Sequence, residues 1–237
     1  MSRPGPLLPM VLLHGAGGLG QLWQNQLLAF PEAVAPDLPG HPTGPGLSSV
    51  SDLAGWVLQF VATTVPAPCV LGGHSLGAAV ALQAALDAPA RLRGLILLGA
   101  GARLRVRPEF FDLLRRGYSE AVEELLRWWF APAAPPRIVD RARQALRAVA
   151  PAVVYDDFWA ADHFDVMARV REITVPTLII CGEEDRMTPV KYARYLHEQI
   201  AGSRLVIVPG AGHMVMLERP RETNAAIEEF LGTLRSS

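Results

Sequence analysis

The sequence predicts an α/β fold built on a mostly parallel, doubly wound sheet of about six strands, with a helical segment inserted before the fifth strand. Three observations predict it. Short apolar, β-rich runs recur between stretches of helical periodicity, the pattern of parallel βαβ units. Most of these runs are continuously apolar rather than alternating, as in strands covered on both faces. One stretch of roughly 70 residues breaks the alternation, with helical periodicity and no convincing strand.

In chain order, strands are expected at 7–13, 33–35, 69–72, 95–99, 177–181 and 205–208. Helices are expected at 21–29, 50–64, 76–86, 189–200 and 221–234. The first strand starts almost at the N-terminus, so the hairpin that precedes it in larger sheets of this type has no sequence to form from. The interrupting stretch carries four helical patterns, at 110–116, 119–130, 137–149 and 156–169, with Pro135 and Pro136 in tandem between the second and third. Such an insertion is either a second domain or a lid over the sheet's edge. The expected division is a core of 1–100 and 173–237 and an inserted segment of 101–172. No internal repeat is found, and no low-complexity segment beyond the loop at 131–136.

Composition mainly excludes. With 237 residues, half of them hydrophobic, the chain can bury a substantial core. Its formal net charge of −1 gives no electrostatic footprint for nucleic acid. No apolar run approaches the roughly 20 residues of a membrane span, and residues 1–11 leave no room for a signal-peptide stretch. Two cysteines, Cys69 and Cys181, cannot form a disulfide framework, so a cytoplasmic, reduced protein is expected. They belong to different strands and read as buried thiols. Lys191 is the only lysine, a skew expected from codon bias in a GC-rich bacterial genome.

The strongest chemical signal is Gly73-His74-Ser75-Leu76-Gly77, directly after an apolar strand and directly before an Ala-rich helix. A serine on so tight a turn has its hydroxyl pushed into solvent, and the flanking positions must be small to avoid collision across the turn. The second signal is His14-Gly15-Ala16-Gly17-Gly18 at the end of the first strand. A glycine-rich turn there can aim the Ala16 N–H at a carbonyl oxygen becoming negative, with the Leu76 N–H as the second donor. Phosphate cradling competes for this loop. However, the spacing is not G-x-G-x-x-G and no Gly-Lys-Ser/Thr is present.

A nucleophilic serine needs a base, and the base an orienting acid. Of six histidines, His14 and His41 sit in Gly/Pro turns that they are expected to shape, and His74 adjoins Ser75 on a strained turn. His163 and His197 lie in helical patterns. His213 follows a strand in Pro209-Gly210-Ala211-Gly212-His213, on the sheet edge where Ser75 is expected. Asp185, just past the strand at 177–181, is the acid, with Glu183 and Glu184 as nearby competitors. A loop carboxylate capping the helix near Pro189 is its structural alternative. No Cys/His cluster has zinc spacing and no calcium loop is present, so no metal and no cofactor are expected.

The order Ser75, Asp185, His213, together with the His-Gly turn, Pro36-Asp37-Leu38-Pro39-Gly40-His41 and Gly212-His213, resembles the α/β-hydrolase superfamily, in its capped serine carboxylesterase and peroxidase-like group. The likeness covers nearly the whole chain. It departs at Pro42-Thr43-Gly44-Pro45, which reshapes an entrance loop, and at the missing leading strands. The resemblance implies that 101–172 is a cap closing a substrate pocket. Trp128 and Trp129 are helix neighbours about 100° apart, so one can face the pocket while the other packs inside the cap; Phe158 and Trp159 invite the same split. Gly15 and Met214 are further pocket candidates, and Met216 flanks His213 on the same loop.

The expected activity is hydrolysis of small or medium-chain carboxylic esters through an acyl-enzyme, with a small-molecule ester as partner, and monomer and homodimer both open. Lactonase, thioesterase, cofactor-free perhydrolase, C–C hydrolase and acyltransferase chemistry would use the same triad, and a non-catalytic ligand receptor is a third reading.

Overall fold

The computed structural model describes residues 8–66 and 68–235. Six strands form one sheet: β1 (Met10–Leu13), β2 (Ala33–Val34), β3 (Cys69–His74), β4 (Leu92–Leu98), β5 (Thr177–Gly182) and β6 (Arg204–Val208). Their order is β2-β1-β3-β4-β5-β6, and every pairing is parallel. The start of the first expected strand, Leu7, lies outside the described residues. The continuous apolar runs have the cause inferred for them: β1 and Leu95–Leu98 of β4 are fully buried, whereas edge strand β6 is only half-buried along most of its length.

The core helices are α1 (Gln24–Ala29), α2 (Val50–Thr64), α3 (Leu76–Asp87), and, numbered after four intervening helices, α8 (Val190–Gln199), α9 (Val215–Glu218) and α10 (Pro220–Arg235). They sort into two groups. α1 packs on α10, while α2 packs on α3, and α3 and α8 both meet the 3₁₀ turn Val170–Glu172. Gly94 of β4 shows how close the first group lies, since a Cβ there would stand 2.6 Å from Leu234 of α10.

Between β4 and β5 run α4 (Pro108–Arg116), α5 (Tyr118–Trp129), α6 (Pro136–Ala148) and α7 (Pro151–Asp162). The last requires a correction, since the helix expected at 156–169 begins at Pro151, in the first-turn position proline favours, and stops at Asp162. Val166 and Val170 continue a helical spacing, but local polar bonds override it. Asp165 Oδ1 captures the Met167 N–H at 3.1 Å, and Asp165 pairs with Arg103 in an isolated antiparallel bridge.

Candidate active site

Because all strands run the same way, the loops after β1, β3, β5 and β6 open on one edge of the sheet. The chain leaves β1 toward β2 on one side and β3 toward β6 on the other, so the switch point lies between β1 and β3. The His14–Gly18 turn and Ser75 follow these two neighbouring strands.

Ser75 has φ 54° and ψ −115°, and among the described residues it is the only non-glycine with positive φ. Such a conformation costs about 1–3 kcal/mol and persists only where its surroundings over-determine it. Here the Ser75 N–H donates to the Leu98 carbonyl at 2.9 Å, and its own carbonyl accepts from Ala78 and Ala79 at the start of α3. The two glycines are required by contact. A Cβ on Gly73 would stand 2.1 Å from the Gly77 carbonyl oxygen, and one on Gly77 would stand 2.4 Å from that of Leu13.

Asp185 and His213 are both buried and directly joined, Nδ1 to Oδ2 at 2.8 Å. The Asp185 carboxylate is filled on all sides. Oδ1 accepts the N–H groups of Met187 and Thr188, and Oδ2 accepts the Thr188 hydroxyl at 2.9 Å besides the imidazole. Burial acts to raise its pKa, but the charge and hydrogen bond of His213 and the Thr188 donors outweigh burial and hold it below the ordinary carboxylate value. Asp185 therefore both caps the turn before α8 and orients His213.

His213 Nε2 is buried with no hydrogen-bond partner among the described residues. The ring lies beside His74, centroids 4.6 Å apart, and His74 Nε2 meets the His213 carbonyl oxygen at 3.0 Å. Burial, and then the neighbouring His213, push the His74 pKa down to about 3. It stays neutral and donates that hydrogen bond, so it supports the loop and is no base. Ser75 and His213 are thus brought to one locality through His74, with no hydrogen bond between them. Catalytic hydrogen bonds in free enzymes are often long and tighten only with substrate.

On the opposite side, His14 is buried; its Nε2 accepts the Leu38 N–H at 2.9 Å, and the Gly18 N–H closes the turn onto the Gly15 carbonyl. Among the described residues, neither the Ala16 N–H nor the Leu76 N–H is engaged in a hydrogen bond. Ser75, Gly15, Ala16, Trp129, Phe158 and Met214 line one crevice together with Met187. Its free volume is about 10 Å³, about the space of one water. A larger cavity of about 430 Å³ lies between α1, α6 and α9, without a nucleophile in its lining. Trp128 falls outside the Ser75 crevice, 37% exposed, with the guanidinium carbons of Arg107 and Arg186 at 5.4 and 5.7 Å from its ring centre. Trp159 is exposed and Met216 is buried away from the crevice, so each aromatic pair divides as its helical spacing requires.

Three residues were not singled out by sequence. Thr188 bonds Asp185 and lies 3.2 Å from His213 Nδ1. Glu218, buried, accepts the N–H of Gly212 at 3.0 Å and of Ala131 at 2.9 Å, tying the His213 loop to the end of α5. Asp157 of α7 accepts the Gly17 N–H at 2.7 Å. The signal for Asp157 was an acid on the apolar face of its helix, between Val153 and Ala161; Glu218 and Thr188 carry none beyond their apolar or turn neighbours. Cys69 and Cys181 are both buried free thiols, pushed by burial up to about 11 and about 12. Among the described residues, no cluster of three or more His, Cys, Asp or Glu could hold a metal ion, and no helix is long and apolar enough to cross a membrane.

Comparison with known proteins agrees with this layout. Residues 10–226 match the model of the alpha/beta hydrolase family. A pimeloyl-[acyl-carrier protein] methyl ester esterase from Neisseria meningitidis serogroup B is 28% identical, over 99% of this chain and 97% of that protein. A solved thermophilic esterase superposes with a TM-score of 0.86 at 36% identity, covering 97% of this chain and 92% of the other. A thermophilic esterase from Thermogutta terrifontis, solved with malate bound, gives 0.86 at 26% identity over 98% and 92%. With its parallel sheet, its strained serine turn and its buried His–Asp pair, the chain belongs to the alpha/beta hydrolase family.

Proposed function

We propose that this hydrolase cleaves carboxylic esters of small or medium acyl chain, with Ser75 as nucleophile, His213 as base and Asp185 as its orienting acid. The buried Asp185–His213 pair beside a serine held at positive φ carries the reading. Ser75 attacks the ester carbonyl as His213 Nε2 takes its proton. The N–H groups of Ala16 and Leu76 bind the oxyanion, and the imidazolium then protonates the leaving alcohol. Water, activated by His213, releases the acid. Asp185 keeps the Nδ1 proton in place and stabilises the imidazolium.

The short acyl preference follows from the crevice, where Trp129, Phe158, Met187 and Met214 leave little room. The helical segment 101–172 acts as a cap, since α5 and α7 supply two of those walls. Entry of an ester requires that cap to shift. The esterase names of the relatives support the substrate class.

The test is a series of p-nitrophenyl esters of rising chain length, run beside lactone and thioester substrates on the wild type and Ser75→Ala. Short esters should be turned over best, and the variant should lose at least about 10⁴-fold in kcat. Ester turnover that survives in Ser75→Ala overturns the nucleophile; a binding-induced rise in Tm with no turnover of any substrate overturns the enzyme reading.

A further inference from the structure

The proposed cap brings to the core a buried carboxylate of its own that the reaction scheme leaves idle. Asp157 is 2% exposed, and its Oδ2 takes two donors, the Gly17 N–H at 2.7 Å and His41 Nε2 at 3.0 Å. His41 Nδ1 faces the carbonyl oxygens of Leu38 and Pro39 at 3.2 and 3.3 Å. Both ring nitrogens therefore face acceptors. A neutral imidazole has one N–H and would leave a lone pair against oxygen, whereas the imidazolium satisfies both contacts. Burial works against that charge, but the hydrogen bond and charge of Asp157, with the Pro39 and Leu38 carbonyls, outweigh it and raise the His41 pKa.

The other titratable groups at this junction are accounted for. His14 stands edge-on to His41, centroids 4.6 Å apart, and burial followed by the His41 charge pushes it down to about 4. Burial and then the charge of Asp157 push Tyr118 of α5 up to about 12, and its hydroxyl donates to the Leu146 and Val149 carbonyls. At neutral pH both are uncharged, so neither competes with the contact between His41 and Asp157.

That pair grips the turn carrying the oxyanion donor. Gly17 has φ 65°, and its N–H is the point where the turn is fastened to α7. Ala16, one residue earlier, has its N–H free among the described residues. We propose that Asp157, steadied by His41, is a positioning residue for the oxyanion hole: the cap supplies the anchor that aims the Ala16 N–H. This rests on the serine-hydrolase reading above. Loss of one oxyanion donor costs about 10²–10³ in kcat, so a donor loosened rather than removed should cost about 10–100-fold.

The experiment compares Asp157→Ala and the near-isosteric Asp157→Asn with wild type, normalised by active-site titration. Measured quantities are kcat and KM for p-nitrophenyl butyrate, and Ki for a trifluoromethyl ketone whose serine adduct places an oxyanion at the donors. Expected for Asp157→Ala is a fall in kcat of about 10–100-fold, KM within about threefold, and Ki raised in parallel with the loss of kcat. Asp157→Asn retains an acceptor for Gly17 and should lie between the two. A purely structural role would lower Tm without moving Ki. If both variants keep wild-type kcat and Ki while Ser75→Ala is inactive, the positioning role is overturned and the triad stands. If Ser75→Ala stays active, the reading beneath it fails as well.

Discussion

Replacement of Asp185 by asparagine changes one atom and reverses one proton, and the surroundings decide which. Oδ1 accepts two backbone N–H groups, from Met187 and Thr188, both at 2.9 Å. An amide NH₂ cannot sit there, because donors would face donors. The asparagine nitrogen is therefore driven to the Oδ2 position, opposite His213 Nδ1 and the Thr188 hydroxyl. It then presents a hydrogen to Nδ1, which must give up its own. His213 is forced into the tautomer with its proton on Nε2, the nitrogen that accepts from Ser75 in the proposed reaction. Thr188 reinforces this, because its hydroxyl, 3.2 Å from Nδ1, can accept from the new amide and donate to the ring. In serine proteases the equivalent change lowers kcat by about 10⁴, which at about 1.36 kcal/mol per decade is a loss of about 5.4 kcal/mol of transition-state stabilisation. The expectation here is a kcat loss of about 10³–10⁴ in p-nitrophenyl butyrate hydrolysis, with KM and the circular dichroism spectrum unchanged. A variant within tenfold of wild-type kcat would show that Asp185 does not set the His213 tautomer, and the role assigned to the pair would fall.

Three further outcomes follow from the same structure. Thr188→Val keeps the backbone donors of Asp185 but deletes the hydroxyl on Oδ2, and should lower kcat about 3–10-fold, read in the same assay. Gly73→Ala places a Cβ 2.1 Å from a backbone oxygen and should destabilise by about 3 kcal/mol or more, read from urea unfolding midpoints. The raised pKa of His41 means that its pairing with Asp157 contributes fully below the ordinary histidine value of 6.5 and is lost as pH rises through the folded value. Buried His14 and His74, with lowered pKa values, raise stability over the same range in both proteins, so the reading is a difference: the excess of the wild-type urea midpoint over that of Asp157→Asn should shrink as pH rises above 6.5.

The strands were legible because a parallel sheet buried on both faces leaves little choice of residue, and β1, β3, β4 and β5 all read as apolar runs. The serine turn was legible for a steric reason too, since Gly73 answers to the Gly77 carbonyl within the turn itself, while Gly77 answers to the carbonyl of Leu13 on neighbouring β1. Asp157 and Glu218 were not legible. Gly17 lies 140 residues from Asp157, and Ala131 lies 87 from Glu218, and a single acid in a helix says nothing of which distant N–H it will meet. The misplaced end of α7 shows the limit of periodicity. Val166 and Val170 keep helical spacing, yet a short Asp165 side chain that bonds its own backbone decides the local conformation.

The conformation of Ser75 sets chemistry against durability. Glycine occupies φ 54° without steric strain, so replacing Ser75, the proposed nucleophile, would relieve about 1–3 kcal/mol of strain and, on the proposed mechanism, yield a hardier but inert chain. Any search for sturdier variants scored on heat resistance alone would drift toward that loss. On the proposed mechanism the Ser75 hydroxyl persists only where turnover itself is selected, and the rest of the fold must carry the deficit it imposes.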